Sequence, residues 1–221
     1  MPPLYLGVDI AGASNTWATL LGPTPSGLRI IEQPALHALT DIVDYCDRHD
    51  VIAIAIDAQL SIALSDENGF RSCDRELRSL LPSNCLNWVA SVNSLMAVPV
   101  RGRMLADALA PRVGTIIETH PRASLLFALG DERLESIRSY KTGEAKAEAV
   151  AHLWHHWRER YGILDDIATL NDGAIDAVVC ATVAYLYHHE PASLHRLRHD
   201  AADRSGRGPF YVVNFQRTVH D

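Results

Sequence analysis

The chain has 221 residues, of which 48% are hydrophobic and 21% charged, and a formal net charge of −7 at pH 7. This fits an ordinary soluble globular protein able to bury a sizeable core as one domain. No apolar run approaches the roughly 18–20 residues that span a bilayer, no basic segment precedes an apolar core at the N-terminus, and the acidic balance argues against holding duplex nucleic acid mainly through its phosphates.

In chain order, Leu4–Ile10 is an apolar run leading into the small-residue turn Ala11-Gly12-Ala13-Ser14, and reads as a first strand with Asp9 at its tip. Asn15–Leu21 reads as a second strand and Leu28–Glu32 as a third, joined as a hairpin through Gly22-Pro23-Thr24-Pro25-Ser26-Gly27. Pro34 is expected to open a helix with apolar spacing at Leu36, Leu39, Ile42, Val43 and Cys46, ending near His49-Asp50. Val51–Ile56 is continuous and rich in β-branched residues, as in a central strand buried on both faces, and it ends at Asp57. A short helix stopped by Pro82 is expected within RSCDRELRSLLP, and a further helix or two within NWVASVNSLMAVPVRGRMLADALAP, with Ser83 and Asn84 as caps.

The strand Thr115-Ile116-Ile117 again runs into an acid, Glu118. RASLLFALG reads as a helix stopped by Gly130, and Glu144–Tyr161 as a longer one with Val150, Leu153, Trp154 and Trp157 on one face. Asn171 or Asp172 caps the last strong element, a largely buried helix carrying Ile175, Val178, Val179, Thr182, Val183 and Leu186, with Pro191 beyond its end. GRGPFYVVNFQRT at the C-terminus reads as a late strand or an extended tail. The histidines of HLWHHW and YLYHHEP read as helix faces rather than ligand sets. Cys46, Cys73, Cys85 and Cys180 show no CxxC or zinc-like spacing, and are expected to be free or buried thiols of a cytoplasmic protein.

Three apolar strands that each end in an acid are the main chemical signal, because ligands of open α/β sheets sit outside the carboxyl ends of the strands. Asp9 alone could equally cap a turn. Asp172 and Asp176 are four residues apart, so both project from one side of the last helix. A cap position explains Asp172, whereas Asp176 lies inside an apolar pattern, where an ionised group is costly without a cation or donors. Asp9, Asp57, Glu118, Asp172 and Asp176, if convergent, would repel one another strongly. A hard divalent ion, Mg²⁺ or Mn²⁺, relieves that repulsion, and two such ions can hydrolyse a phosphodiester. There is no Walker loop, GxSxG or HExxH.

The segments GVDIAG, IAIDAQLS, RSCDRELR, ETHPRASL, Tyr140-Lys141 and DGAIDAVVCATVAYL, in that order, resemble domain of unknown function 429 from about Leu4 to Tyr187. That family is classed, by its resemblance to the RNase H fold, as predicted nucleases. The resemblance implies one α/β RNase H-like domain over residues 1–221, with a mixed five-stranded sheet flanked by helices and a helical insertion at about 58–112 between the fourth and fifth strands. It places catalytic and metal-binding acids at Asp9, Asp57 and Asp176 or Asp172, with Glu118 as an additional ligand, and nucleic acid as the partner. Gln59 departs from the pattern, standing where proline is expected. Lys141 and Arg122 are expected to contact phosphate or pair with the site carboxylates, or to be surface charges. Arg71 and Arg75 would bind substrate or, with Asp74, form an internal salt-bridge network. The competing functions are a non-catalytic RNase H-like binding module and an actin-like or sugar-kinase-type phosphotransferase, although such kinases usually need two such domains.

Overall fold

The computed structural model describes residues 2–12, 14–62, 68–95, 97–198 and 205–215. Strands β1 (Leu4–Asp9), β2 (Trp17–Thr24) and β3 (Gly27–Leu36) form an antiparallel meander. Helix α1 (Leu39–Arg48) returns the chain to β4 (Val51–Asp57), which pairs in parallel with β1. After β5 (Ser61–Ile62) come α2 (Ser72–Leu80), 3₁₀ turns at Ser83–Trp88 and Val92–Ser94, and α3 (Ala97–Leu109). Strand β6 (Thr115–Glu118) then pairs in parallel with β4 and completes a mixed five-stranded sheet of order β3-β2-β1-β4-β6. Helices α4 (Pro121–Leu129), α5 (Leu134–Ser139), α6 (Lys146–Arg160) and α7 (Asp172–His189) follow. Of the short strands β7 (Leu194–Arg196), β8 (Ser205–Gly206) and β9 (Tyr211–Val213), β7 pairs with β9 and β8 with β5. Among the described residues no helix is long and apolar enough to cross a membrane.

The pleat sorts the core. Leu4, Leu6 and Val8 of β1, with Ile54 and Ile56 of β4, pack with Ile42 of α1 and Leu105, Ala106 and Leu109 of α3. Tyr5, Ala53 and Ala55 point the other way, into the core shared by α4, α6 and α7. β4 therefore alternates isoleucine against one layer with alanine against the other, since successive side chains alternate faces. Small residues on the second face let α7 lie close to the sheet. At Gly7 the approach is so tight that a Cβ would sit 2.0 Å from the Ala177 carbonyl oxygen. Helix α7 is buried nearly all round, which explains its apolar composition.

One expectation needs correction. Pro34 does not open a helix; it lies within β3, and α1 begins five residues later at Leu39. β3 is an edge strand, and its pairing with β2 shifts register between the Ala18–Ala35 and Leu20–Glu32 pairs. A proline without an N–H is tolerated at such an edge irregularity. The helix start is set instead by the Ala38 N–H, which donates to Asp41 Oδ2 at 2.9 Å. The helix or two expected in NWVASVNSLMAVPVRGRMLADALAP is the single helix α3. The preceding Ser and Asn residues bond locally, as in the 2.9 Å contact of the Ser91 and Ser94 hydroxyls, and so compete with helix formation. The late strand is present as β9, while residues 216–218 lie outside the described residues.

Candidate metal centre

Parallel pairing of β1 and β4 sets Asp9 directly beside Asp57. Both continue the series whose side chains face α7, after Tyr5 and Gly7 on β1 and Ala53 and Ala55 on β4. Helix α7 starts above them: Asn171 Oδ1 accepts from the Ala174 N–H at 2.9 Å, fixing the first turn. Asp176 lies one turn further in and is fully buried. At Gly173 a Cβ would sit 2.3 Å from Trp17 Cδ1, so glycine is what lets the helix start pack on this indole. As a result, ligand oxygens of Asp9, Asp57 and Asp176 lie within 4.8 Å of one another.

Three carboxylates in so little water oppose one another's ionisation. Burial, followed by repulsion from Asp176, Asp57 and Asp172, pushes the Asp9 carboxyl well above the usual carboxylate range despite the pull of Lys141. Burial, with repulsion from Asp176 and Glu118, pushes Asp57 up to about 7 against the same pull. The Tyr140 hydroxyl donates to Asp176 Oδ1 at 2.9 Å, and Lys141 Nζ stands 2.5 Å from Asp176 Oδ2. That ammonium is the partner of the otherwise unbonded, buried Oδ2. Burial disfavours the Lys141 ammonium, but Asp176, Tyr140, Asp9 and Asp57 outweigh it and hold the ammonium well above its ordinary range. An all-oxygen donor set gathered in so small a space could hold a metal ion.

Of the other predicted residues, Glu118, Arg71, Arg122 and Asp172 line the same cavity as Asp9 and Asp57 but are held by further partners, and Arg75 lies outside it. Glu118 is one pleat out of phase. Its neighbour Ile117 faces the α7 layer, so the Glu118 side chain emerges on the opposite side of β6. There it accepts from Arg71 Nη1 at 2.8 Å, Arg71 Nη2 at 2.5 Å and the Leu60 N–H at 2.9 Å. Arg71 is fully buried and also reaches Asp74 through Nε at 2.9 Å and Nη2 at 2.7 Å, and Ser61 Oγ at 2.8 Å. Its guanidinium is consumed by this network, the internal alternative noted from the sequence. Arg75 donates to the Phe70 carbonyl at 2.6 Å on a shallow outer surface shared with Glu76 and Arg198. Asp172 pairs with Lys146 at 2.8 Å. Arg122 donates to the carbonyls of Ile137 and Arg138 at 3.1 and 2.8 Å and lies 4.3 Å from the Trp88 ring centre. It ties α4 to α5 and braces the wall beside the acids.

Asp9 and Asp57 line a cavity of about 540 Å³ together with Arg71, Glu118, Arg122, Lys141 and Asp172, and with Gln59, Trp88, Thr119 and His120, while Asp176 lies buried behind it. Sequence reasoning missed Trp88, Thr119 and His120 in this wall. His120 holds it: Nδ1 accepts from the Ala123 N–H at 3.2 Å, so Nε2 carries the hydrogen and donates to the Trp88 carbonyl at 3.0 Å. Burial depresses the basicity of this ring. Its position two residues after Glu118 was the available signal. A second group, His155, His156 and Glu159 on α6, also has ligand atoms within 4.8 Å of one another; it does not line the cavity.

The sheet order, an acid at the tip of its first and fourth strands and a third on the last long helix define an RNase H-like α/β protein with a buried carboxylate cluster. The particular family is equally clear. The family model described as protein of unknown function (DUF429) matches residues 7–196, and the chain belongs to that family. No curated protein and no solved structure matches the chain.

Proposed function

We propose that the protein is a metal-dependent nuclease that hydrolyses phosphodiester bonds of DNA or RNA at the cluster of Asp9, Asp57 and Asp176. The observation that carries this reading is the convergence of the three carboxylates within 4.8 Å, two of them, Asp9 and Asp57, lining a cavity. Mg²⁺ or Mn²⁺ suits their oxygens. Bound as a pair, such ions supply an activated water and stabilise the leaving oxygen. Asp9, Asp57 and Asp176 would hold them, with Asp172 reachable from the rim once it leaves Lys146. Tyr140 fixes the orientation of Asp176 by its hydrogen bond to Oδ1. Lys141, one-third exposed, would exchange the acids for substrate phosphate when an ion takes over its charge.

The test is incubation of purified protein with single-stranded, duplex and branched DNA and RNA, with and without Mn²⁺, beside Asp9→Asn. Cleavage by the unaltered protein alone, and only with the ion, is expected. Cleavage of nothing, or equal cleavage by Asp9→Asn, removes the reading. A second reading is favoured by the same Lys141 contact: a binding module of this fold whose acids are neutralised by an internal ammonium rather than an ion. Its signature is nucleic-acid binding that is indifferent to Mn²⁺.

A further inference from the structure

We propose that helix α6 carries a second metal site, in which His155, His156 and Glu159, with His152 beside them, take a divalent ion of the Zn²⁺ class. It stands independently of the nuclease reading and of the carboxylate cluster.

The histidines of HLWHHW form a helix face, as their spacing implies, and that face is the ligand set. Residues three and four apart are neighbours on a helix surface, so positions 152, 155, 156 and 159 share one stripe. Ligand atoms of His155, His156 and Glu159 lie within 4.8 Å of one another. The ring centres of His152 and His156 are 4.5 Å apart, and those of His155 and His156 5.3 Å. His155 Nε2 and Glu159 Oε2 stand 3.9 Å apart, too far for a hydrogen bond. Two ligands each ~2.1 Å from a tetrahedral ion are about 3.4 Å apart. The His155 and Glu159 side chains are 72% and 74% exposed, so the small rotations that close the set around one ion disturb little packing.

The opposite side of the helix fixes these positions. Val150, Leu153, Trp154 and Trp157 are buried. Trp154 Nε1 donates to Asp166 Oδ1 at 2.6 Å, and Trp157 Nε1 donates to Thr182 Oγ1 at 3.2 Å. Two anchored indoles hold the helix against rotation, so the spacing of the stripe is set before an ion arrives, and preorganisation favours binding. Partial burial, followed by Arg133, His152 and His155, holds the His156 imidazole below its ordinary range, and the neutral ring is the form that ligates. Arg133 also repels an incoming ion, which the Glu159 carboxylate offsets. Imidazole suits Zn²⁺, Cu²⁺ and Ni²⁺, whereas carboxylate and water suit Mg²⁺ and Mn²⁺. The two donor sets therefore sort different ions to different places, since the α6 group does not line the cavity of Asp9 and Asp57.

The test is calorimetric titration with Zn²⁺, with melting curves recorded with and without the ion. Asp9→Asn, which removes a ligand of the carboxylate cluster, is the background. In it Zn²⁺ should bind saturably and raise the melting temperature, as any ligand of the folded state does. Adding His155→Gln/His156→Gln should weaken Zn²⁺ binding at least ten-fold and abolish that rise. If circular dichroism shows this variant misfolded, Glu159→Gln in the same background carries the test, with a loss of at least three-fold expected. His155→Gln/His156→Gln without Asp9→Asn should keep Mn²⁺ affinity within about two-fold of unaltered protein. No Zn²⁺ binding in Asp9→Asn, or unchanged Zn²⁺ affinity once the histidines or Glu159 are replaced, overturns the proposal. Mn²⁺ binding that disappears with the histidines overturns the separation of the two sites. Mn²⁺ that fails to bind any of these proteins while Zn²⁺ binds as expected removes the nuclease reading and leaves the α6 site standing.

Discussion

Replacing Arg71 by methionine should be among the most damaging single changes to this fold. The guanidinium is fully buried and joins two carboxylates, Glu118 and Asp74, whose side chains are each 2% exposed. Its removal leaves two charges without a cation in a water-poor site. Breaking a buried pair in this way costs about 3–5 kcal/mol, a large part of the ~5–15 kcal/mol that stabilises a typical domain. At about 2–4 °C per kcal/mol for a chain of this size, the melting temperature should fall by about 6–20 °C. Urea unfolding followed by circular dichroism measures the loss. The double variant Arg71→Met/Glu118→Gln removes one of the two stranded charges and should recover part of it. Glu118→Gln alone should leave Mn²⁺ affinity within about two-fold, since its carboxylate belongs to Arg71. A loss under about 1 kcal/mol in Arg71→Met, or abolished Mn²⁺ binding in Glu118→Gln, would refute the division of the acids into a structural and an ion-binding set.

Further outcomes follow from the same geometry. Gly7→Ala places a methyl group 2.0 Å from the Ala177 carbonyl; α7 must lift from β1, and thermal melts should show a loss of several kcal/mol together with weakened Mn²⁺ binding. Near pH 4–7 the folded protein keeps a proton on Asp57, raised to about 7, that the unfolded chain releases near pH 4. The folded state then binds more protons, so ion-free stability should fall as pH rises through that window, and Asp57→Asn should flatten the urea-derived profile. Lys141→Met removes the ammonium 2.5 Å from Asp176; ion-free protein should lose stability, and calorimetry should show Mn²⁺ binding several-fold tighter, whereas unchanged affinity would favour the binding-module reading.

Much of this site is visible in the sequence because burial writes itself into composition. Asp176 stands out as a charge inside a helix that is otherwise apolar, and the runs before Asp9 and Asp57 announce central strands. What central strands hide is pleat phase. Neither Val51–Ile56 nor the short run Thr115–Ile117 shows a polar alternation that tells which side a terminal acid takes, and Glu118 reads like Asp57 although it faces the other way. For Arg71 the sequence leaves substrate binding and an internal network with Asp74 open, because the partner that decides it, Glu118, is 47 residues away. Pro34 carries a helix-start signal that an edge-strand irregularity uses just as well. Gln59 is conspicuous as a departure from the expected proline, but its unsatisfied oxygen appears only once Ala90 is seen to hold the amide.

Isothermal titration of metal-free protein with Mn²⁺ bears most directly on the carboxylate cluster. Unaltered protein should bind the ion saturably and release protons on doing so, with Asp9→Asn and Asp176→Asn each folded and each losing at least ten-fold in affinity. Binding of equal strength in all three proteins would contradict the assignment of these aspartates as the ion's ligands.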